Sequence, residues 1–254
     1  MHLPRKPRIK SSTHVYHVMT RGINRQTIFE DETDKYKYLS ILKRYKLEYQ
    51  FELYAYCLMD NHVHLLIKEP ENTTISEIMK RINISYVFWY NKKYERTGPL
   101  FQDRFKSENV DSLPYFRTVL RYIHQNPLKA GIETSVFQCK WTSIKEYLSP
   151  PYIIDTEPVL KLFSPNKEEA TEILKTFMKE ENEDECMDDI PKLTDQEVQK
   201  VLIELGVGNK SEIQRMDKVN RNKILLKLKN MKGVSNNQIA RLTGISKSVI
   251  QRLK

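Results

Sequence analysis

The chain has 254 residues, with 42 lysines and arginines against 33 aspartates and glutamates, a formal net charge of +9 and a pI near 9.2. Apolar residues make up 39% of it, enough to bury a core, so wholesale disorder is excluded, and no stretch approaches the ~18–20 apolar residues that cross a bilayer. The basic opening MHLPRKPRIK has no apolar run behind it and does not read as a secretory signal, which leaves a soluble, intracellular, basic protein whose first partner to consider is nucleic acid.

In chain order, His14–Met19 is rich in β-formers and ends at the turn signal Arg21-Gly22. Asp34–Leu47 carries Tyr38, Leu39, Leu42 and Tyr45 at helical spacing. Phe51–Met59 and His62–Lys68 are two apolar strand candidates separated only by Asp60-Asn61, a hairpin signal. Ser76–Lys92 is predicted helical, with Ile78, Ile82, Tyr86 and Trp89 in one stripe. Gly98-Pro99 opens the loop GPLFQDRF. Ser112–Asn126 is a further helix, with Leu113, Phe116, Val119, Leu120 and Ile123 in its stripe and Pro127 stopping it. The order β-α-β-β-α-loop-α predicts an α+β domain on a small, mostly antiparallel sheet. Three cysteines, Cys57, Cys139 and Cys186, lie far apart without C-x-x-C spacing, so neither a disulfide scaffold nor a cysteine zinc site is expected.

Charge and proline divide the chain. Residues 1–10 hold four basic groups and no acid, residues 180–189 hold seven acids and no base, and residues 218–254 hold ten basic groups and no acid. With Ser149-Pro150-Pro151 as a break, this predicts a first domain over 1–150, a linker with an acidic segment over 151–195, and a helical domain over 196–254. In the last, SNNQIARLTGISKSVIQRLK has the pattern of a helix-turn-helix. Ser235 and Gln238 are spaced as a capping box, Ala240, Gly244, Ile245 and Ile250 supply small, turn and core positions, and Asn222–Met231 is a candidate supporting helix. Ser246 would cap the second helix, leaving Lys247, Ser248 and Gln251 to face duplex DNA.

Two features carry chemistry. His62-Val63-His64 on the second hairpin strand puts both imidazoles on one face, half of a divalent-metal site or simply two partly exposed histidines. In R-Y-I-H-Q-N-P, Tyr122 and Asn126 lie one helical turn apart on one face. There a carboxamide could supply a third ligand with a phenol beside the metal; packing and a helix stop read equally well. His124, two residues on from Tyr122, falls on a different face, and His14 and His17, three apart on a strand, point to opposite faces and argue against a second metal pair.

Taken in order, the segments HVMTRGINRQTIF, YCLMDNHVHLLI, GPLFQDRFKS, LRYIHQNPLKAGI and WTSIKEYL resemble the single-tyrosine HUH nucleases, most closely the REP-associated tyrosine transposases and their insertion-sequence (IS200-like) transposase relatives. The resemblance covers about residues 12–148. It implies an RRM/ferredoxin-like antiparallel sheet with helices as the HUH nuclease core, followed here by the small all-α helix-turn-helix domain. It aligns Tyr122 with the nucleophile, His62, His64 and Asn126 with the metal ligands, and Mg²⁺ or Mn²⁺ with the cofactor. It implies a metal-dependent single-stranded DNA endonuclease and strand transferase acting near hairpins through a 5′-phosphotyrosine intermediate. Arg21, Arg25, Arg104 and Lys106 fall in matching loop or strand-end segments and could contact phosphates. The implied partners are single-stranded or hairpin DNA, with duplex DNA for the C-terminal domain and no membrane. The expected setting is the bacterial cytoplasm and nucleoid, as monomer or homodimer.

Two other readings predict different features. A DNA-binding regulator on the same fold needs only the basic surfaces, although all four expected catalytic positions are filled. An RNA-binding protein on an RRM-like sheet needs exposed aromatics such as Tyr54 or Tyr56 for base stacking.

Overall fold

In a computed structural model of the chain, residues 8–182, 184, 186, 193–231 and 233–253 are described; most of the expected basic arm at 1–10 and part of the acidic stretch at 180–189 lie outside them. The alternation read in the first 70 residues becomes three strands, β1 (Val15–Arg21), β2 (Glu52–Met59) and β3 (His62–Lys68). A fourth, β4 (Lys106–Asn109), pairs antiparallel with β1, and the sheet runs β2-β3-β1-β4. The sequence pattern places this last segment in a loop, because Lys-Ser-Glu-Asn has no apolar alternation. As an edge strand it is bound on one side only and keeps its side chains partly in solvent.

α1 (Glu32–Tyr49) joins β1 to β2, and α2 (Ile75–Lys93) joins β3 to β4. Together with the strand order this is the β-α-β-β-α-β arrangement of a ferredoxin-like sheet. α1 opens with a reciprocal capping box between Asp31 and Asp34, and α2 with the Thr74 side chain accepting from Glu77 N. The two helices meet through Tyr38 and Tyr86, ring centroids 5.2 Å apart, and the buried Tyr86 hydroxyl donates to Ile28 O at 2.6 Å.

Strand register separates two faces. Val18, Val63, Leu65 and Ile67, all but sealed from solvent, project to the side covered by α1 and α2. His17, Met19, Arg21, His62, His64 and Cys57 share the other side. That side is covered by α3 (Leu113–Lys129), whose Ser112 side chain accepts from Tyr115 N. Pro127 does not stop α3 as the sequence predicts. It lacks the N–H for one helical bond, but Ala130 N donates to Asn126 O at 3.0 Å and Ile132 N to Pro127 O at 2.9 Å, and the helix ends on Gly131 at φ 69°.

Past α3 the chain returns along β2. Leu58 N donates to Trp141 O, Cys57 bridges to Thr142, and the Tyr147 hydroxyl donates to Tyr54 O at 2.6 Å, so the β2 edge is covered. Tyr54 and Tyr56 are buried beneath this cover, which removes the stacking platform that an RNA-binding sheet requires. The buried Glu146 carboxylate accepts from the Tyr56 hydroxyl and from the backbone N–H groups of Tyr152, Ile153 and Ile154.

The expected linker is folded over much of its length. α4 (Thr156–Leu160) and α5 (Lys167–Lys179) bury Val159, Leu160, Ala170, Leu174 and Met178 in the same core as the sheet. The chain therefore divides into Met1–Met187 and Asp188–Lys254 rather than at residue 150. Pro150-Pro151 ends an element without ending the domain, because the stripe Ala170, Leu174, Met178 at i, i+4, i+8 still needs an apolar partner.

The second unit comprises α6 (Asp195–Glu204), α7 (Lys210–Arg215), α8 (Lys218–Asn230), α9 (Asn236–Thr243) and α10 (Lys247–Arg252) around Val198, Leu202, Ile213, Leu225, Leu228, Ile239 and Ile250. Between α9 and α10, Gly244 takes φ 71°, which a residue with a Cβ adopts only with strain. The capping box at Ser235 is half formed: Ser235 Oγ accepts from Gln238 N, but the Gln238 side chain donates to Leu193 O and Asp195 instead. Ser246 holds the cap position of α10, with its Oγ 3.1 Å from Ser248 Oγ rather than on a backbone N–H.

Gly22 has a positional reason of its own. A Cβ there would stand 2.2 Å from Gln26 O and 2.9 Å from Ile28 Cγ2. The same loop carries Gly22 N and Ile28 N, which donate to Asn61 O and Asp60 O of the hairpin turn preceding His62. Gly22→Ala should therefore cost about 1–3 kcal/mol, seen as a lower urea midpoint at unchanged slope.

Candidate nuclease site

The site forms where β3 and α3 face each other. β3 is central in the sheet, so His62 and His64 are buried on a rigid strand, their ring centroids 4.9 Å apart at 87°. Tyr122, on the buried stripe of α3, sets its ring edge-on to His64 at 5.6 Å and to His17 at 5.8 Å. The predicted nucleophile and both predicted imidazoles thus converge on one face. Asn126 follows one turn later on α3 and is also buried.

In both histidines of β3 it is Nδ1 that the protein engages. His62 Nδ1 lies 2.6 Å from Asn61 Oδ1, and His64 Nδ1 lies 3.0 Å from His17 Nε2. A carboxamide oxygen only accepts, so His62 carries its proton on Nδ1 and its lone pair on Nε2. Burial, reinforced by the Arg21 charge and by the repulsion a second charged imidazole at His62 or His17 would meet, holds His64 well below the usual imidazole range, and burial holds His17 at about 3. Both rings are neutral near pH 7, the form that ligates metals. His64 Nε2 is buried without a hydrogen-bond partner, an arrangement that costs free energy unless something binds there. Among the described residues no cluster of three or more His, Cys, Asp or Glu is placed to hold a metal. A cation here would have two imidazoles and would complete its shell from amide, phosphate or water oxygen. Such a mixed donor set fits Mn²⁺ or Mg²⁺ and does not exclude softer ions.

The predicted phosphate contacts fall into two groups. Arg21 pairs across the ladder with His62, and Lys106 lies in register with Met19, itself opposite His64, so both border the histidine face. Arg25 and Arg104 are exposed outside the strands, Arg25 at the end of a 3-10 turn whose carbonyl accepts from Asn61 Nδ2, and Arg104 in a bend before β4. In the second unit Lys247, Ser248 and Gln251 are all exposed on α10 while Ile250 is buried.

Three features escape the sequence reading. His17 joins the site through His64, and only the β1–β3 register could have revealed it. Lys129, almost two turns beyond Tyr122, holds its ammonium 5.4 Å from the Tyr122 ring centroid. The end of α5 and the residues after it run along α3: Arg121 pairs with Glu180 and Asp184, Gln125 donates to Met178 O and Glu180 O, and Lys129 Nζ donates to Asp184 O at 2.7 Å. His124 is structural, its Nδ1 2.9 Å from Leu120 O and its Nε2 2.8 Å from Ser143 Oγ; burial lowers its pKa to about 4.

A comparison with curated proteins returns no significant match. Among solved structures, the chain is similar to a REP-associated tyrosine transposase bound to a REP hairpin, at 20% identity and TM-score 0.47 over 61% of this chain and 93% of that one. It is also similar to a crystal structure assigned as a transposase of Deinococcus radiodurans R1, at 20% identity and TM-score 0.35 over 49% of this chain and 97% of that one. Among the described residues no helix is long and apolar enough to cross a membrane. The family model described as "Transposase IS200 like" matches residues 10–126, a span that holds the whole sheet, the histidine pair and Tyr122, and this part of the chain is similar to that family.

Proposed function

We propose that the protein is a metal-dependent single-tyrosine nuclease and strand transferase that cuts single-stranded DNA near hairpins. The observation that carries this reading is the meeting of Tyr122 with the His62–His64 pair over one sheet face. His62 and His64, with Asn126 one helical turn beyond Tyr122, would hold the cation, whose charge would polarise the scissile phosphate and offset the negative charge gathered in the transition state. Tyr122 Oη attacks phosphorus in line; the Oη–P bond forms as the P–O3′ bond breaks. The phenol proton leaves to solvent, and the departing 3′ oxygen takes one up. The 5′-phosphotyrosine keeps the energy of the broken linkage, so the free 3′-OH can rejoin strands by the reverse attack. Arg21 and Lys106, bordering the histidine face, suit the flanking phosphates. Arg25 and Arg104 would contact the strand farther out.

In the second unit, the α9–Gly244–α10 turn with Lys247, Ser248 and Gln251 exposed supports a role in gripping duplex DNA. The test is incubation with labelled single-stranded hairpin DNA drawn from the flanks of the gene, in Mn²⁺, Mg²⁺ or EDTA. A protein–DNA adduct on denaturing gels with either metal, absent in EDTA, is expected. Tight DNA binding without an adduct in any metal would instead favour a regulator that has kept the fold.

A further inference from the structure

His17 is a fully buried polar group of this face to which the proposed chemistry has given no role. It is fully buried on a central strand, its ring centroid lies 5.1 Å from that of His64, and its Nε2 lies 3.0 Å from His64 Nδ1. Burying an imidazole costs free energy that an apolar residue would not incur, and Met19, two residues on along the same face and 2% exposed, shows that β1 accommodates an apolar side chain on this side. Two neutral imidazoles facing each other at this distance share one proton, and the donor decides what the far edge of His64 can do. If His17 donates, His64 must carry its own proton on Nε2, and that atom cannot take a cation. If His64 donates from Nδ1, its Nε2 keeps a lone pair at the buried position that has no protein partner.

We propose that His17 is a positioning residue: its Nε2 accepts from His64 Nδ1–H and so fixes the tautomer and ring plane in which His64 Nε2 binds a divalent cation. The inference rests on the metal-binding reading above. It gives His64 the support that Asn61 gives His62, one from β1 and the other from the hairpin turn.

Mn²⁺ uptake by the full chain, followed by the electron paramagnetic resonance signal of unbound Mn²⁺, tests this without DNA. His17→Phe keeps a flat ring but removes the acceptor and should weaken Mn²⁺ binding about 10–100-fold. His17→Gln, whose Oε1 can accept, should recover most of the affinity. Circular dichroism and the thermal midpoint report whether each variant is folded. A folded His17→Phe that binds Mn²⁺ as the wild type does would overturn the inference. Should that variant not fold, long-range ¹H–¹⁵N correlation spectra of the wild type in saturating Mg²⁺ decide: a proton on His64 Nδ1 supports the assignment, and one on Nε2 overturns it. Uptake unchanged by His64→Ala would overturn the metal-binding reading itself, a result separable from the first because it does not depend on residue 17.

Discussion

Tyr122→Phe should abolish the covalent protein–DNA adduct and lower cleavage by about 10⁴-fold or more, since loss of a nucleophile leaves only binding and electrostatic catalysis. The ring would keep its edge-on contacts with His17 and His64 and the Lys129 ammonium over its face. Only the hydroxyl is removed, so the stability change should stay within about 1 kcal/mol and hairpin binding should be retained. Tyr115→Phe is the matched control. Tyr115 lies on the same helix, but its hydroxyl donates to Glu108 Oε2 at 2.6 Å, and burial together with that carboxylate raises its pKa, which opposes a phenolate. Adduct formed by Tyr122→Phe at the wild-type rate would assign the attack to another group.

The largest effect on stability is expected at Glu146, which is not one of the proposed catalytic or metal-holding residues. Its Oε1 accepts from Tyr56 Oη at 3.0 Å, and its Oε2 accepts from Tyr152 N, Ile153 N and Ile154 N at 2.6, 2.7 and 3.1 Å. Ile153 and Ile154 are 4% exposed, so water cannot replace the acceptor for their N–H groups. Each stranded donor costs about 1–3 kcal/mol, and Glu146→Ala should destabilise the first unit by about 4 kcal/mol in all. At about 2–4 °C per kcal/mol for a domain of this size, the thermal midpoint should fall by roughly 8–16 °C. Glu146→Gln keeps one carbonyl oxygen for the backbone donors and turns an amide N–H₂ toward Tyr56, whose hydroxyl can accept, so its loss should be less than half as large. Equal losses for the two variants would mean that the side chain acts by packing volume rather than as an acceptor.

The parts of the fold legible in the sequence are those in which one local signal repeats. Strand β3 begins and ends where its alternation does, and α2 begins one residue before its apolar stripe predicts and ends one residue after it. The less legible parts depend on what lies across space. β4 has no pattern because a four-residue edge strand is defined by its partner, β1. α5 shows an apolar stripe of its own, yet Pro150-Pro151 and the acids after it dominate the local reading, and only the uncovered side of α3 explains where that stripe goes. In the site, the spacing of two placed His62 beside His64, and the spacing of four placed Tyr122 above Asn126. The expectation that His14 and His17 point apart assumes one strand through both, whereas β1 begins at Val15 and His14 precedes it at φ 61°; parity in any case says nothing of neighbours. The pairing of His17 with Leu66, one step along the face from His64, depends on a register no single strand contains.

The hydrogen bonds from α3 to residues 178–184 bear on the order of events during synthesis. Chains emerge from the ribosome N-terminus first, so the sheet, its histidines and Tyr122 are all available before the segment that secures Arg121, Gln125 and Lys129 has been made. Until about residue 186 has emerged, the outer face of the helix carrying Tyr122 has neither its ion pairs nor the apolar cover of Leu174 and Met178. A nascent chain paused before that point would hold every group of the proposed reaction on a helix not yet fastened along its length, and cutting competence would arrive late in translation.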